Sequence, residues 1–345
     1  MNMMQFLEYS PLKLLLNSDK CNKIIEVADE KRSYDDSFPI SIELQLIDAC
    51  NLNCQWCIEK KSRKNVFRLK YSLLLELVEE LVNSNVGITI EGGGEPTIYE
   101  KFEQFVLHVH TRKLALGLIT NGVKMFSTSL VDKFKWIRIS LDSSNPEEFK
   151  ACKGKDCFSQ VLKNIENMCL HKGDTLIGVS YVLCKMNHGN ILKLLEKLEK
   201  IGVDYVYFRP VETHDELLMS KEKTVEFNER LNRFLSSSNL SCILLNSRNN
   251  TKKDNKALPC VAHSLTCIIR ANGDVMLCEK REHDPICLGN ISRSSFFDIW
   301  NSPKRIEVTK RLLNPEQQAG CEICRITRFN ELFYNLGNLK SKEFI

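Results

Sequence analysis

The sequence has no long apolar run. Nowhere do its 345 residues approach the roughly 18 to 20 uninterrupted apolar positions of a membrane-spanning helix, so a membrane protein is not expected. The opening residues, Met1-Asn2-Met3-Met4-Gln5-Phe6-Leu7-Glu8, lack the basic start and apolar core of a secretory signal. A large excess of one charge is missing too. The formal net charge is only +4 and the lysines are scattered rather than gathered in a stripe, so nothing singles out nucleic acid as a partner. These absences point to a cytoplasmic chain, whose fifteen cysteines are expected to bind metal rather than form disulfides. With 43% hydrophobic and 27% charged residues, there is enough chain for one large domain and a small one.

Cysteine is what the chain does have, and its placement is informative. Cys50-Asn51-Leu52-Asn53-Cys54-Gln55-Trp56-Cys57 puts three thiols on one short loop. Thiolates are soft ligands for iron–sulfur clusters, and three of them suit three irons of a [4Fe-4S] cube, leaving the fourth iron open. A structural zinc loop would want two close pairs, and no partner pair lies within the next ninety residues. Further on, the apolar stretch Gly87-Ile88-Thr89-Ile90-Glu91 runs into Gly92-Gly93-Gly94-Glu95-Pro96, where bare glycines let backbone approach a ligand closely.

Apolar β-type segments alternate with helical patterns from about residue 41 to 210. Strands are predicted at Ile42 to Ile47, Val86 to Glu91, Leu114 to Thr120, Trp136 to Leu141, Leu176 to Leu183 and Tyr205 to Phe208. Helical patterns cover Tyr71 to Asn83, Tyr99 to Arg112, Phe158 to His171 and Ile191 to Ile201, with a further apolar segment at Leu130 to Phe134. Six strands with intervening helices fit an α/β architecture, either an open parallel barrel or a doubly wound sheet.

The spaced cysteines with Trp56 before the last, followed by Gly-Gly-Gly-Glu-Pro, resemble the radical S-adenosylmethionine (SAM) superfamily. The resemblance favours a partial (β/α)6 TIM-type barrel over residues 39–245, after an N-terminal extension at 1–38. It implies that Cys50, Cys54 and Cys57 hold the SAM-binding [4Fe-4S] cluster, and that the backbone and carboxylate of Gly93, Gly94 and Glu95 hold the methionyl ammonium. Trp56 and Pro96, from the same two motifs, are further candidates that the resemblance implies for SAM binding. Thr120-Asn121-Gly122 and Ser140-Leu141-Asp142 resemble further family segments, which implies that Asn121 and Ser140, with Thr120 a weaker candidate, reach the ribose and carboxylate of SAM.

Strand alternation adds a substrate chamber. If Ser140 faces inward, so do Arg138 and Asp142, and the same rule turns Glu43, Gln45, Thr89, Glu91, Ser180, Tyr205, Tyr207 and Arg209 away from the bulky aliphatics. A closed barrel fills its interior with branched apolar side chains, so this polar face is expected to receive ligand. Pairing among these groups, for instance Glu91 with Arg138, is the alternative. Arg138, Asp142, Tyr207 and Arg209 are the candidates for substrate or cofactor contact, with Arg209 suited to a carboxylate. Glu91, Asp142, Tyr207 and Glu212 are unranked candidates for a catalytic base.

An apolar-free stretch at 246–256 begins a linker that extends to 259, followed by a second cysteine system at 260–345. Cys260, Cys278, Cys321 and Cys324 flank a hairpin that turns at Asn272-Gly273-Asp274 between Thr266 to Ala271 and Val275 to Cys278. This set resembles the twitch domain, a shortened SPASM domain of β-hairpin plus helix, which implies one auxiliary [4Fe-4S] cluster. Cys267 and Cys287 are rival ligands, and a zinc ribbon is the structural alternative. Arg325 and Arg328 read as a solvated helix face, and His263 and His283 as surface or hydrogen-bonded residues.

The activity implied by the resemblance is reductive cleavage of SAM to a 5'-deoxyadenosyl radical that abstracts hydrogen from substrate, with a flavodoxin- or ferredoxin-type reductant as partner. With one auxiliary cluster as electron acceptor, the leading expectation is an oxidoreductase that dehydrogenates or epimerises a small sugar or cyclitol. A radical SAM maturase acting on a precursor peptide is the alternative. About 40 residues precede the first strand, few for a leader-binding domain of roughly 70. A non-catalytic iron–sulfur electron carrier is the reading from another class.

Overall fold

The computed structural model describes residues 11–29, 31–60, 65–211, 214–244, 258–278, 286–314 and 326–337. Its first elements are α1 (Ser18–Ala28), β1 (Ser41–Leu44), α2 (Tyr71–Leu81), β2 (Gly87–Ile90), α3 (Phe102–Thr111), β3 (Ala115–Thr120) and β4 (Trp136–Ser140). Next come α4 (Pro146–Lys153), α5 (Phe158–Leu170), β5 (Leu176–Leu183), α6 (Ile191–Ile201), β6 (Tyr205–Pro210), α7 (Lys221–Leu235) and β7 (Ser241–Leu244). The last are β8 (Thr266–Ile269), β9 (Asp274–Met276), β10 (Cys287–Asn290), α8 (Phe296–Trp300), α9 (Pro303–Leu313) and α10 (Thr327–Gly337).

One compact unit comprises Gln45–Tyr71 and Ile88–Ser247. Its strands follow one another in the order β2-β3-β4-β5-β6-β7, and β3 to β7 pair in parallel. A doubly wound sheet reverses its order at a switch point. This sequential order is that of an open (β/α) barrel strip. The α6 helix shows why such helices form here: Ile191, Leu194, Leu195 and Leu198 fall on one buried face at helical spacing. Burying each leucine contributes about 2 kcal/mol. On β4, Ile137 and Ile139 are fully buried while Arg138 and Ser140 are half-buried, as period two requires.

Three features of this unit differ from the sequence reading. The α3 helix starts at Phe102 rather than Tyr99, because Pro96–Ile98 forms a separate short 3-10 helix capped by Glu95. The α4 helix and strand β7 were not foreseen. Only four residues long, Ser241–Leu244 is too short for periodicity to mark.

The other unit comprises Met1–Leu44, Ser72–Gly87 and Arg248–Ile345. Its strand order is β10-β9-β8-β1, with β8 and β9 an antiparallel hairpin and β1 parallel to β8. Strand β10 is an addition to the expected hairpin. Within this unit Leu14, Ile24 and Val27 pack against Val261, Ala262, Leu265 and Phe333. The N-terminal extension and the cysteine-bearing tail therefore share one core. Buried Arg305 seals it: the guanidinium lies 4.1 Å over the Trp300 ring and donates to the carbonyls of Asp35 and Trp300 and to Ser264 Oγ. Asp35 in turn pairs with Lys20, and Trp300 Nε1 donates to the Ser37 carbonyl at 2.8 Å. Among the described residues, no helix is long and apolar enough to cross a membrane.

Candidate cluster and cofactor site

Cys50, Cys54 and Cys57 are half-buried thiols, and no described cysteine forms a disulfide. The loop that carries them is held by the end of α4. Asn53 N–H donates to the Lys153 carbonyl at 2.9 Å, Gln55 N–H to that of Cys152 at 3.0 Å, and Gln55 Nε2 to that of Ala151 at 2.8 Å. Those carbonyls belong to the last turn of a helix, which leaves them without partners of its own. The α4 helix forms locally because Asn145 Oδ1 accepts from Glu148 N–H at 2.8 Å, Pro146 opens the helix, and acidic residues fill its first turn. Trp56 pins the loop from its other side by packing with Cys152, Val182, Cys184 and Val211.

Beneath this loop, the buried Lys153 ammonium pairs with the buried Asp142 carboxylate. Burial alone would lower the Lys153 pKa, but Asp142 and Cys54 outweigh it and hold the ammonium charged. Burial pushes the Cys54 thiol up, against the opposing pull of Lys153. Among the described residues, no three His, Cys, Asp or Glu side chains gather as ligands of a single metal ion do. A [4Fe-4S] cube instead takes one thiolate on each of several irons, which three spaced thiols on one loop can offer.

The glycine run lies directly against the stretch that leads into Cys50. Gly94 N–H donates to the Ile47 carbonyl and Glu95 N–H to that of Ala49, both at 2.8 Å. A Cβ on Gly94 would overlap the Ala49 carbonyl, so only glycine lets the two segments meet. Glu95 is the next residue of the run. Its carboxylate is buried and engaged by its own chain: Oε1 accepts from Thr97 N–H, Thr97 Oγ1 and Thr120 Oγ1 at 3.1, 2.7 and 2.6 Å, and Oε2 from Asn121 N–H at 2.7 Å. It ties the end of β2 to the end of β3. Thr120, the weaker candidate, is one of its donors.

Asn121 is held by its own chain as well. Its Oδ1 accepts from Val123 N–H at 3.0 Å, while its Nδ2 donates to Asn51 Oδ1 at 2.7 Å and approaches Cys50 Sγ at 3.8 Å. The side chain is turned to the cysteine loop.

The polar row of the strands is present. Register aligns Arg138 with Gly178 and Tyr205, then Ser140 with Ser180 and Tyr207. Ser140 and Ser180 hydroxyls lie 3.4 Å apart. Arg138 is enclosed: its guanidinium stands 4.5 Å from the Tyr207 ring, 5.4 Å from Trp136 and 5.6 Å from Tyr205, and Nε donates to Tyr205 Oη at 3.2 Å. Burial alone would lower its pKa, but Tyr205, Tyr207 and Glu91 raise it overall. The Tyr205 ring occupies the space that a side chain on Gly178 would take. Arg138 is thus a packed aromatic–cation cluster. Asp142 is likewise engaged, by Lys153 and by Val182 N–H, which leaves it poorly placed as a base. At the end of β6, Arg209 Nε is buried with no hydrogen-bond partner.

Of the second cysteine system, Cys260 and Cys278 are half-buried. Cys321 and Cys324 lie outside the described residues, as do Glu212 and His283. Cys260 is held at three points: its N–H donates to the Leu312 carbonyl at 2.9 Å, its carbonyl accepts from His263 Nδ1 at 2.6 Å, and Asn330 Nδ2 reaches its Sγ at 3.6 Å. Burial and the nearby Arg305 lower the His263 pKa to about 3, so the ring is neutral with its proton on Nδ1. The rival Cys267 is fully buried on β8, and burial pushes its thiol well up. Cys287 is half-buried, with Sγ 3.4 Å from the Gly289 carbonyl.

The sequence reading missed Lys153, Ser180 as a partner of Ser140, and Asn330. The first was findable, because Asn145-Pro146-Glu147-Glu148 is a helix start whose final turn delivers Lys153 to the loop. Asn330 had no such signal.

Residues 44–198 match the radical SAM superfamily, and residues 260–326 match SPASM, an iron–sulfur cluster-binding domain. Among curated proteins, the mycofactocin maturase MftC of Mycolicibacterium smegmatis is 25% identical over 305 residues, covering 83% of this chain and 75% of its own. The GTP 3',8-cyclase of Alkaliphilus oremlandii is 29% identical over 156 residues, covering 41% of this chain and 46% of its own. Among solved structures, Streptococcus suis SuiB bound to S-adenosylmethionine aligns with a TM-score of 0.65 at 16% identity, covering 89% of this chain and 76% of that one. SuiB bound to its precursor peptide SuiA aligns with a TM-score of 0.61 at 16% identity, covering 86% and 71%.

Proposed function

Because this chain belongs to the radical SAM superfamily and carries a SPASM iron–sulfur cluster-binding domain, we propose that it is a maturase that modifies a precursor peptide. One observation carries the choice. The similarity to a maturase spans 83% of the chain, too much to end within the radical SAM segment, whereas the cyclase similarity covers 41%. The sugar or cyclitol oxidation favoured by the sequence alone gives way to its alternative.

The cofactors are SAM, a radical SAM [4Fe-4S] cluster and auxiliary iron–sulfur. When bound, they supply a 5'-deoxyadenosyl radical that takes a hydrogen atom from the substrate. In this reading Cys50, Cys54 and Cys57 are the cluster ligands: they form a soft donor set, and the Lys153 ammonium beneath Cys54 opposes the burial that pushes its thiol up. The Gly92–Gly94 backbone offers the close approach that the cofactor ammonium needs. Ser140 and Ser180 offer hydroxyls on the inner row, and the Arg138–Tyr205–Tyr207 cluster bounds it. The unpartnered Nε of Arg209 supports a carboxylate contact at the end of β6. Cys260, Cys278, Cys321 and Cys324 are the ligands of one auxiliary cluster, and a flavodoxin or ferredoxin is the reductant.

The test is anaerobic incubation of the reconstituted chain with dithionite, SAM and a short peptide encoded beside the gene. The expected result is 5'-deoxyadenosine together with a mass change in the peptide. Release of 5'-deoxyadenosine with an unchanged peptide, and conversion of a cyclitol or sugar instead, would restore the small-molecule reading. No 5'-deoxyadenosine from an intact cluster would favour the electron carrier.

A further inference from the structure

The two cysteine systems share a device that neither motif encodes. In each, one asparagine side chain is locked by backbone N–H groups and points its amide hydrogens at a cysteine sulfur. For Asn121, Val123 N–H lies 3.0 Å from Oδ1. A backbone N–H only donates, so the atom it faces must be the oxygen, and the NH2 must face the other way, to Asn51 Oδ1 at 2.7 Å and Cys50 Sγ at 3.8 Å. For Asn330, both Val261 N–H and Ala262 N–H donate to Oδ1, at 3.0 and 2.8 Å, which turns its NH2 to Cys260 Sγ at 3.6 Å. Both residues are buried, at 8% and 6% exposure, so water does not compete for these donors.

Resting on the reading of Cys50 and Cys260 as cluster ligands, we propose that Asn121 and Asn330 raise the reduction potentials of the two clusters by donating a hydrogen bond to one ligand sulfur of each. Reduction adds negative charge to a cluster and spreads it over the sulfurs. An N–H aimed at a thiolate stabilises that added charge more than the oxidised state, and hydrogen bonds to sulfur are among the groups that set cluster potentials. The locked oxygen matters because it prevents the amide from flipping and presenting an acceptor instead.

The substitution that isolates this effect is asparagine to aspartate. Asn121→Asp and Asn330→Asp keep the oxygen that accepts from the backbone and replace the donor with a second oxygen. The full-length chain is reconstituted with iron and sulfide. Each cluster is followed alone by an EPR-monitored redox titration, the first in a Cys260→Ala background and the second in a Cys50→Ala/Cys54→Ala/Cys57→Ala background. Each aspartate variant is expected to disfavour reduction of its own cluster about tenfold or more, which is 59 mV for a one-electron couple. Asn121→Ala and Asn330→Ala, which remove the donor without adding charge, should shift the same way by less, and they decide the matter if an aspartate variant assembles no cluster. Potentials equal to the parent's, with iron and sulfide content intact, overturn the proposal while leaving the ligand assignment standing. If the parent backgrounds bind no cluster at Cys50 or Cys260, the ligand assignment falls and the proposal with it.

Discussion

Gly94 stands so close to Ala49 that a methyl group on it would overlap the Ala49 carbonyl. The contact joins the glycine run to the residue immediately before Cys50. Gly94→Ala is therefore expected to cost about 3 kcal/mol and to lower the iron content of the reconstituted protein. Gly189→Ala, where a Cβ would meet nothing within 4 Å, should change stability by less than about 0.5 kcal/mol. Denaturant midpoints and iron analysis of the two variants side by side make the comparison.

Lys153 and Asp142 form a buried ion pair under the loop that carries Cys54. Lys153→Met leaves a carboxylate buried without its cation and is expected to destabilise the chain by roughly 3 to 5 kcal/mol. Adding Asp142→Asn removes that charge and should recover a large part of the loss, since asparagine also accepts from Val182 N–H. A double-mutant cycle on unfolding free energies measures the coupling, and simple additivity would show that the pair is not what matters.

His263 gives the fold a dependence on acid. Its pKa falls to about 3 in the folded chain, below the ordinary value of 6.5, because burial and Arg305 disfavour the imidazolium. Between these two values the unfolded chain binds the proton and the folded chain does not, so stability is full above about pH 6.5 and declines as pH falls toward 3. His263→Gln is expected to flatten this part of the profile. Unfolding curves across that window, for parent and variant, provide the check, and identical slopes would remove His263 as the cause.

Cys260 and Cys267 are seven residues apart and differ in surroundings. Cys260→Ala should remove the auxiliary iron, about four atoms per chain. Cys267→Ala, in the core of β8, should keep that iron and lose only packing, of the order of 1 kcal/mol. Iron and zinc counting on both variants decides between them, and bound zinc in place of iron would restore the zinc ribbon.

Much of the scaffold was legible because its signals are local. The alternation on β4 and the helical spacing on α6 are properties of a few adjacent residues, and both elements appear where periodicity put them. Four-residue β7 was not legible, and the boundary of α3 moved because Pro96 and the Glu95 cap start a separate turn.

The sequence by itself determined the chemistry on offer: three soft thiols on one loop, a glycine run, and a polar row facing away from the aliphatics. Spacing is enough for that, since ligand type and strand period are written in neighbouring residues. Only the tertiary structure decided where the polar groups spend their hydrogen bonds. Asn121 meets Cys50 across 71 positions of sequence, Thr120 meets Glu95 across 25, and Asn330 meets Cys260 across 70. A carboxylate or amide can serve a ligand or its own chain equally well by type. Which it serves depends on the donors that folding brings within about 3 Å, and those donors are distant in sequence.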